Sequence, residues 1–347
     1  MKRKKAKIYN ITIMGDGGWG TALSLVLNEK GHKVTIWGAF RENIKKIKQT
    51  RENSVFLPGV YVPESIFLTA NIKRALLHAD IVVIAVPSHV FRKVCRRYKP
   101  FYKERHVIVS VAKGLENKTL MRMSEVIEDT IGFHADIVVL SGPSHAEEVA
   151  RSLPTAIVSS SKNMKKAKFI EDVFTTQKLK VYTNPDLIGV ELGGSLKNII
   201  AIAAGIVDGL ELGANTKAAV LTRGIVEISR LGVRMGANPM TFSGLSGIGD
   251  LITTGLSPFS RNRTLGERIG KGETLSSIIS STPKVAEGVN TIKAALRLAK
   301  KYHVSLPITE ELYKVLMGKD SPKKLVSNIF SRDITSELDW LPFVGAI

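Results

Sequence analysis

The chain has 347 residues, of which 44% are hydrophobic and 23% charged, and its formal net charge is +19. This length suits about two domains, and the composition indicates a globular protein and excludes an intrinsically disordered one. The longest uninterrupted apolar runs are shorter than the roughly 18 residues of a membrane span. A lone Cys95 excludes an intrachain disulfide and a cysteine-based metal site, and the histidines lack metal-ligand spacing, so we expect no metal.

The lysines and arginines are spread along the chain and lack interleaved aromatic residues. We therefore expect a solvated basic surface and no specific nucleic-acid partner, while a weak electrostatic contact with an anionic membrane surface stays open. The basic start, MKRKKAK, leads into polar residues and a glycine turn rather than into the apolar core and cleavage site of a signal peptide. The sequence thus predicts a cytoplasmic protein.

Short apolar runs alternate with helical segments in the first half of the chain. The predicted strands are 8–14, 33–37, 66–69, 81–86, 107–112, 136–141 and 156–159, and examples of the predicted helices are 22–30, 42–49 and 120–130. Near-continuous valine and isoleucine runs are typical of a parallel sheet that is buried on both faces. The alternation predicts right-handed crossovers and a Rossmann-type, doubly wound α/β domain.

The pattern changes near Pro185. Beyond it all predicted elements are helices: 186–210, 216–231, 240–244, 263–271, 275–280, 291–302, 307–317 and 322–329. We therefore expect an α/β domain at 1–185, an all-α domain at 186–335 and an apolar tail of undetermined order at 336–347.

The first predicted strand leads into GDGGWG at residues 15–20, which matches G-x-G-x-x-G. In this motif the first glycine, Gly15, permits a tight turn, and the second, Gly17, lets a pyrophosphate approach the backbone. The third, Gly20, lets helix and strand pack closely, and the helix N-terminus offers free N–H groups to the phosphates. The flanking strands and helix support the match, so the motif predicts that domain 1–185 binds a dinucleotide rather than forming a purely structural turn.

The end of the second predicted strand indicates which dinucleotide is bound. NAD sites usually place Asp or Glu about 20 residues beyond the glycines, where the carboxylate holds the ribose 2′-hydroxyl. This chain has Ala39, Phe40 and Arg41 there. A carboxylate would repel a 2′-phosphate whereas Arg41 can pair with one, so we expect NADP in preference to NAD. The alternative is that Arg41 only solvates the start of the next helix.

Lys197 lies in the middle of a long helical segment that is apolar around most of its surface. Its neighbours one turn away are Gly193, Gly194 and Ala201, so we expect room for a ligand beside the ammonium. A buried lysine loses basicity and can exchange protons near neutral pH. The alternative is a lysine whose ammonium extends to solvent.

A second polar group follows in the same domain. Asp250 and Thr254 are four residues apart and share one face if this segment is helical. The segment 260–263, Ser-Arg-Asn-Arg, is rich in donors suited to a phosphate. Together with the glycine turn, these residues predict that domain 186–335 binds a small phosphorylated substrate.

The motifs taken together resemble the bacterial NAD(P)-dependent glycerol-3-phosphate dehydrogenases. The resemblance runs in unbroken order from about residue 8 to about 330 and rests on segments 15–20, 87–89, 112–116, 142–144, 193–198, 213–215, 222–224, 247–251, 260–263 and 287–288. It implies reversible reduction of dihydroxyacetone phosphate by NAD(P)H to sn-glycerol 3-phosphate for phospholipid synthesis, and a homodimer.

The resemblance also implies roles for individual residues. Lys197 would be the proton donor to the carbonyl oxygen, or the acceptor in reverse, with Lys113 and Asp250 as further catalytic residues. The substrate site would comprise Lys113, Gly142, Ser144, Lys197, Asp250, Thr254, Ser260, Arg261 and Asn262. Trp19, Lys113, Ala146, Arg261, Val285 and Glu287 would contact the dinucleotide, in addition to Gly15, Gly17, Gly18, Gly20 and Arg41, which the glycine turn and the end of the second strand already indicate.

The chain departs from the family pattern in two places. Gly18 stands where the family commonly has serine, and Ala39 stands where it often has histidine or arginine, which weakens the expectation of NADP. Two alternatives stay open at this point. One is a relative of the β-hydroxyacid dehydrogenases with a carboxylate substrate, and the other is a dinucleotide-sensing protein without turnover.

Overall fold

The structure is a computed structural model and describes residues 7–282 and 286–331. The strands are β1 (Asn10–Met14), β2 (Lys33–Trp37), β3 (Glu52–Asn53), β4 (Leu57–Tyr61), β5 (Phe67–Thr69), β6 (Ile81–Ile84), β7 (Val107–Ser110), β8 (Asp136–Ser141), β9 (Thr155–Ser160) and β10 (Leu179–Asn184).

The helices occupy both halves of the chain. They are α1 (Gly18–Glu29), α2 (Arg41–Thr50), α3 (Ile72–Leu76), α4 (Ser88–Tyr98), α5 (Met123–Ile131), α6 (Ala146–Ala150), α7 (Met164–Phe174), α8 (Leu187–Gly209), α9 (Gly213–Arg234), α10 (Pro239–Phe242), α11 (Asp250–Leu256), α12 (Arg261–Gly270), α13 (Leu275–Ser280), α14 (Glu287–Tyr302), α15 (Pro307–Leu316) and α16 (Pro322–Phe330). A π-helical turn, Leu245–Gly249, precedes α11.

Eight strands form one sheet in the order β10-β9-β8-β7-β6-β1-β2-β5, with helices on both faces. The strands from β5 to β8 are parallel, and the residues of β1, β6 and β7 that face the helices are almost all buried. From Leu187 to Phe330 the described residues form helices and no strand. The predicted Rossmann-type α/β part followed by a helical part is confirmed.

The sheet differs from a purely parallel one at β9, which pairs antiparallel with β8. The connection contains only α6, whose five residues extend about 7 Å, whereas the six residues of β8 extend about 20 Å. A helix this short does not return the chain to the starting edge, so β9 runs the opposite way. The longer α7 does return it, and β10 is parallel to β9.

The long helix α8 is the centre of the helical part. It has 23 residues, and by length and composition alone it could cross a membrane, but every residue of its most apolar stretch is buried inside the protein. Helix α12 packs against it with backbone contact: a Cβ at Gly205 would lie 2.0 Å from the carbonyl oxygen of Arg263, and one at Gly266 would lie 2.0 Å from that of Ile202. This close approach brings the start of α12 toward the middle of α8.

Candidate active site

The loops that follow β1, β6, β7 and β8 meet at the carboxyl edge of the sheet, where open α/β sheets bind ligands. The loop after β1 contains Gly15, the loop after β7 contains Lys113, and the loop after β8 contains Gly142. Helix α8 crosses this edge: a Cβ at Gly194 would lie 2.4 Å from the Ser141 hydroxyl and 3.6 Å from the Lys113 side chain. The sheet and the helical part thus share one site.

In the glycine turn, Gly15 and Gly20 are tightly packed, whereas Gly17 is open. Gly15 has φ +132°, and a Cβ there would lie 2.3 Å from the carbonyl oxygen of Ala85. A Cβ at Gly20 would lie 2.4 Å from the carbonyl oxygen of Gly15, so both glycines are required for close backbone packing. A Cβ at Gly17 would meet no atom within 4 Å. Gly17 therefore opens onto free space directly before the N-terminus of α1, a cradle that fits a pyrophosphate.

Other residues expected at the dinucleotide lie beside this turn. A Cβ at Gly18 would lie 3.5 Å from that of Ala146 and 2.8 Å from the carbonyl oxygen of Phe56, so a serine here would displace the loop between β3 and β4. Trp19 is half-buried and packs against the hydrophobic core formed by the sheet and α1. Val285 lies outside the described residues.

A carboxylate lies at the end of β2, although it comes from an earlier part of the sequence. Asp16, from the glycine turn, lies against the last part of this strand, because a Cβ at Gly38 would be 2.6 Å from its Oδ2. The same oxygen accepts a hydrogen bond of 2.6 Å from Asn43 Nδ2 of α2. Burial raises the pKa of Asp16, and the Asn43 amide opposes that effect. An acidic group is thus present near the expected ribose position, although it is not on β2.

Lys197, Asp250 and Lys113 form a buried ion cluster. Lys197 Nζ donates to Asp250 Oδ1 at 2.9 Å and also to the Thr254 hydroxyl. Lys113 Nζ donates to the other oxygen, Asp250 Oδ2, at 2.7 Å. Asp250 and Lys197 are 1% and 5% exposed. Asp250 begins α11 and Thr254 follows one turn later, which confirms that the two share a helical face.

Burial controls the protonation of this cluster. It lowers the pKa of Lys197 to about 8, against the opposing effect of Asp250 and with help from the positive charges of Lys113 and Arg261. Burial would raise the pKa of Asp250, but the two ammonium groups outweigh it and hold that pKa below its usual value. One carboxylate between two ammonium groups carries a net positive charge, so the cluster attracts an anion or a developing oxyanion. The alternative of a solvent-extended lysine is wrong.

The small residues beside Lys197 serve a different purpose from the one expected. A Cβ at Gly193 would lie 2.4 Å from the carbonyl oxygen of Ser246, and the Gly194 position is equally tight against Ser141. The space beside these glycines is therefore filled by the π-helical turn and by the end of β8. The expectation that they leave room for a ligand is wrong.

The loop after β8 supports Lys113. Its ammonium donates to the Gly142 carbonyl oxygen at 2.7 Å and lies 3.4 Å from the Ser144 hydroxyl. His145, which no sequence motif indicates, is half-buried next to this loop with Nε2 3.4 Å from the carbonyl oxygen of Thr253. Burial lowers the pKa of His145, and the positive charge of Lys197 lowers it further. His145 lies close to Lys197 and Lys113 in space, but it is far from both in the sequence.

The start of α12 presents the expected donors. The Ser260 hydroxyl accepts from Arg263 N at 3.2 Å and caps the helix. Arg261 is exposed, and among the described residues its guanidinium has no hydrogen bond or ion pair. Asn262 donates to Asn198 Oδ1 at 2.9 Å and accepts from the backbone N–H of Gly288 at 3.0 Å. Most of the Asn262 side chain is thus used within the protein, whereas Arg261 is available to an anion.

Two neighbouring side chains are held elsewhere. The Arg263 guanidinium donates to Asp208 at 2.7 Å, away from the cluster. Glu287, at the start of α14, accepts from the Ser88 hydroxyl at 2.6 Å and from the Ser88 backbone N–H at 3.2 Å. Glu287 thereby links the helical part to the start of α4, which follows β6 at the carboxyl edge where the dinucleotide is expected.

Comparison with known proteins shows the family of the chain. Family models described as the NAD-dependent glycerol-3-phosphate dehydrogenase N-terminus and C-terminus match residues 10–167 and 186–327. A glycerol-3-phosphate dehydrogenase [NAD(P)+] of Pelotomaculum thermopropionicum is 49% identical over 339 residues, which cover 97% of each chain. The protein of that name from Bacillus subtilis is 47% identical and covers 95% of this chain and 96% of its own.

A solved structure extends the comparison to the fold. The crystal structure of glycerol-3-phosphate dehydrogenase from Coxiella burnetii has a TM-score of 0.91 and 36% sequence identity, over 94% of this chain and 99% of that one. The matches span both the sheet and the helical part. The chain therefore belongs to the family of NAD-dependent glycerol-3-phosphate dehydrogenases.

Proposed function

We propose that the protein catalyses the NAD(P)H-dependent, reversible reduction of dihydroxyacetone phosphate to sn-glycerol 3-phosphate, which supplies phospholipid synthesis. It is an oxidoreductase that uses NAD or NADP. The observation that carries the proposal is the buried cluster of Lys197, Asp250 and Lys113 at the same sheet edge as the glycine turn. A protein that only binds a dinucleotide has no need of a buried ammonium with a pKa of about 8.

The chemistry follows from the charges of the cluster. When bound, the nicotinamide supplies the hydride in reduction and accepts it in oxidation. Reduction places negative charge on the ketone oxygen, and the ammonium groups of Lys197 and Lys113 stabilise that charge where water is excluded. The ketone oxygen then takes a proton from Lys197 Nζ, and in oxidation Lys197 receives it. Asp250 orients both ammonium groups through its two oxygens.

The substrate phosphate is assigned to the start of α12. Arg261 offers a guanidinium that can hold two phosphate oxygens, and Ser260 retains a hydroxyl hydrogen. We assign Asn262 a contact through its backbone N–H or its remaining amide hydrogen, since its amide oxygen is already bonded. Gly142, Ser144 and Thr254 are assigned to the walls of the substrate site. Binding at the phosphate end would orient the ketone carbon toward the nicotinamide.

The dinucleotide is assigned to the glycine turn. Gly17 supports this assignment because it opens onto free space at the start of α1. The remaining contacts are proposed for Gly15, Gly18, Trp19, Gly20, Arg41, Lys113, Ala146, Arg261, Val285 and Glu287. For Glu287, dinucleotide binding would compete with its hydrogen bonds to Ser88.

The organisation of the chain is part of the proposal. We divide it into a dinucleotide-binding domain at 1–185 and a helical substrate-binding domain at 186–335. The last strand, which ends at Asn184, supports that boundary, as does α8, which begins at Leu187. We also propose a cytoplasmic homodimer, with contact to anionic membranes limited to weak electrostatic attraction.

The test compares substrates and cofactors in one steady-state assay. Oxidation of NADPH and of NADH is followed with dihydroxyacetone phosphate and with a 3-oxoacid semialdehyde as the second substrate. We expect turnover with the phosphate and little with the semialdehyde. Preference for the semialdehyde would indicate a β-hydroxyacid dehydrogenase instead, and dinucleotide binding without turnover of either would indicate a sensing protein.

A matched pair of arginine variants tests the phosphate site. Arg261→Gln should raise the KM for dihydroxyacetone phosphate by roughly 100-fold, because a charge-assisted contact with the phosphate is lost. Arg263→Gln is the control, since Arg263 is paired with Asp208 and should leave this KM nearly unchanged. Equal KM values for the two variants would contradict the assignment.

A further inference from the structure

A cavity of about 540 Å³ lies between α2 and the end of β5. Four cationic side chains line it: Arg41, Lys45 and Lys48 of α2, and Arg97 of α4. None of the lining residues is acidic. Within the part of the chain that the structure describes, none of the four makes an ion pair with a carboxylate. Four cations without a paired carboxylate thus surround one cavity. Such a cluster is a more specific site for an anion than the dispersed basic surface that the composition suggests.

The position of the cavity connects it to the glycine turn. The N–H of Gly15 donates to the carbonyl oxygen of Trp37, the last residue of β2, at 2.9 Å. Trp37 is in register with Thr69, the last residue of β5, and Thr69 lines the cavity. Adjacent strands are about 4.8 Å apart, so the cavity lies one strand beyond the end of β2. A nucleotide that extends outward from Gly17 past the end of β2 therefore reaches this cavity with its adenosine half.

The cations of the cavity are held by their surroundings. The Arg97 guanidinium lies 4.8 Å from the centroid of the buried Trp37 ring, and Lys48 Nζ lies 5.8 Å from the centroid of Phe67. Such contacts favour positions of the two cations next to β2 and β5. Lys45 follows Arg41 by four residues, so both occur on the same face of α2.

Asp16 introduces the opposite charge at the inner end of the same region. Its carboxylate is fixed by Asn43 and lies against Gly38, between the glycine turn and the cavity. A carboxylate at this point can accept a hydrogen bond from a ribose hydroxyl, as an acidic residue on the second strand does in other dinucleotide-binding domains. It also opposes a 2′-phosphate, whereas the four cations favour one.

We propose that Lys45, together with Arg41, Lys48 and Arg97, binds the 2′-phosphate of NADP in this cavity, while Asp16 accepts from the adenosine ribose. The inference rests on the proposed dinucleotide function and deepens it. NADP then gains the attraction of the cations, and NAD keeps the contact with Asp16. The chain therefore uses both cofactors and binds NADP more tightly, with a preference that weakens as salt screens the cations.

The test measures the binding of two nucleotides without nicotinamide to the full chain by calorimetry. The probes are 2′,5′-ADP and 5′-AMP, which differ only in the 2′-phosphate. We expect 2′,5′-ADP to bind at least about 10-fold more tightly at low salt. If neither probe binds, the proposed dinucleotide function fails. If both bind equally, only the inference about this cavity fails.

Two lysines that are adjacent in sequence provide the variant and its control. Lys45→Gln should weaken 2′,5′-ADP binding about 5- to 10-fold and leave 5′-AMP binding unchanged. Lys46→Gln should change neither, because Lys46 is also exposed on α2 but does not line the cavity. Equal effects of the two substitutions on 2′,5′-ADP would overturn the assignment of Lys45 and leave only a general attraction to the basic surface.

A third variant tests the role of Asp16. Asp16→Asn keeps the size of the side chain and removes its charge, so 5′-AMP should bind more weakly and the preference for 2′,5′-ADP should increase. An unchanged ratio of the two affinities would contradict the role of Asp16. Thermal melting of each variant establishes that the chain is folded at the temperature of the titration.

Discussion

Replacement of Asp250 by Asn should move the pH dependence of ketone reduction to lower pH. Reduction requires Lys197 to carry a proton, so wild-type kcat should fall as the pH rises through the Lys197 pKa of about 8. Asp250 Oδ1 lies 2.9 Å from Lys197 Nζ and favours the charged ammonium. In the variant that attraction is lost while the repulsion from Lys113 remains, so the Lys197 pKa falls.

The size of the shift can be worked from the distance. Two unit charges 2.9 Å apart attract by roughly 6 kcal/mol at an effective dielectric constant of about 20, which corresponds to about four pKa units as an upper limit. Water that enters the variant site offsets part of this energy. We therefore expect the falling limb of kcat to move down by about two units, to near pH 6.

The assay is kcat for dihydroxyacetone phosphate reduction between about pH 5.5 and 9.5, at saturating NADPH and substrate. Thr254→Val should shift the limb by less, because it removes a hydrogen-bond acceptor of Lys197 but no charge. Glu128→Gln, which unpairs the exposed Lys162, is the remote control and should not shift it. A limb that stayed near pH 8 in Asp250→Asn would refute the electrostatic role of Asp250.

Three further results are expected. Gly17→Ala should keep the melting temperature and weaken dinucleotide binding. Gly20→Ala should destabilise the fold by several kcal/mol, because its Cβ would collide with the backbone. Calorimetry measures the dinucleotide affinity and thermal melting measures the stability, so together they distinguish the two effects. Glu191→Ala should lower the free energy of unfolding by roughly 3 kcal/mol in denaturant titrations, since the buried Arg122 then keeps only the partly exposed Glu125 as an ionic partner. Burial raises the pKa of Glu227 to about 7, above its unfolded value. The protonated carboxyl group therefore stabilises the fold at low pH, and this contribution is lost as the pH rises toward 7. Glu227→Gln should have a higher melting temperature than wild type at about pH 8 but not at about pH 5.

These three predictions can each be contradicted by a simple outcome. Normal dinucleotide affinity of Gly17→Ala would remove the pyrophosphate from this turn. An unchanged unfolding midpoint of Glu191→Ala would mean that its carboxylate does not stabilise the contact of α8 with α5. A pH-independent difference between Glu227→Gln and wild type would show that the folded state does not raise the pKa of Glu227 above its unfolded value.

Patterns that depend on local spacing were predictable from the sequence. The glycine turn follows from three glycines between an apolar run and a helical segment, and the structure gives Gly15 and Gly20 the packing roles expected of them. The shared face of Asp250 and Thr254 needed only the period of a helix. The burial of Lys197 followed from the apolar residues around it.

Features that depend on tertiary contacts were not predictable. Asp16 reaches the end of β2 from a loop 22 residues earlier than Gly38, and nothing in the order of residues indicates this contact. Gly193 is small because it packs on Ser246, 53 residues away, rather than because a ligand needs space. Strand β10 was missed because it is half exposed and lacks the continuous apolar run of the central strands. The 3.6-residue period predicts helices but does not indicate that Arg97 shares a cavity with α2.

The most direct measurement of the enzymatic mechanism is kcat for dihydroxyacetone phosphate reduction by Lys197→Met, with NADPH affinity determined on the same preparation. Asp250 keeps its ion pair with Lys113 at 2.7 Å in this variant, and methionine fills much of the volume of the lysine stem, so the site should remain folded. We predict that kcat falls by at least about 1,000-fold while the Kd for NADPH stays within about twofold. A kcat close to that of wild type, or an equal loss of NADPH binding, would contradict proton transfer by Lys197.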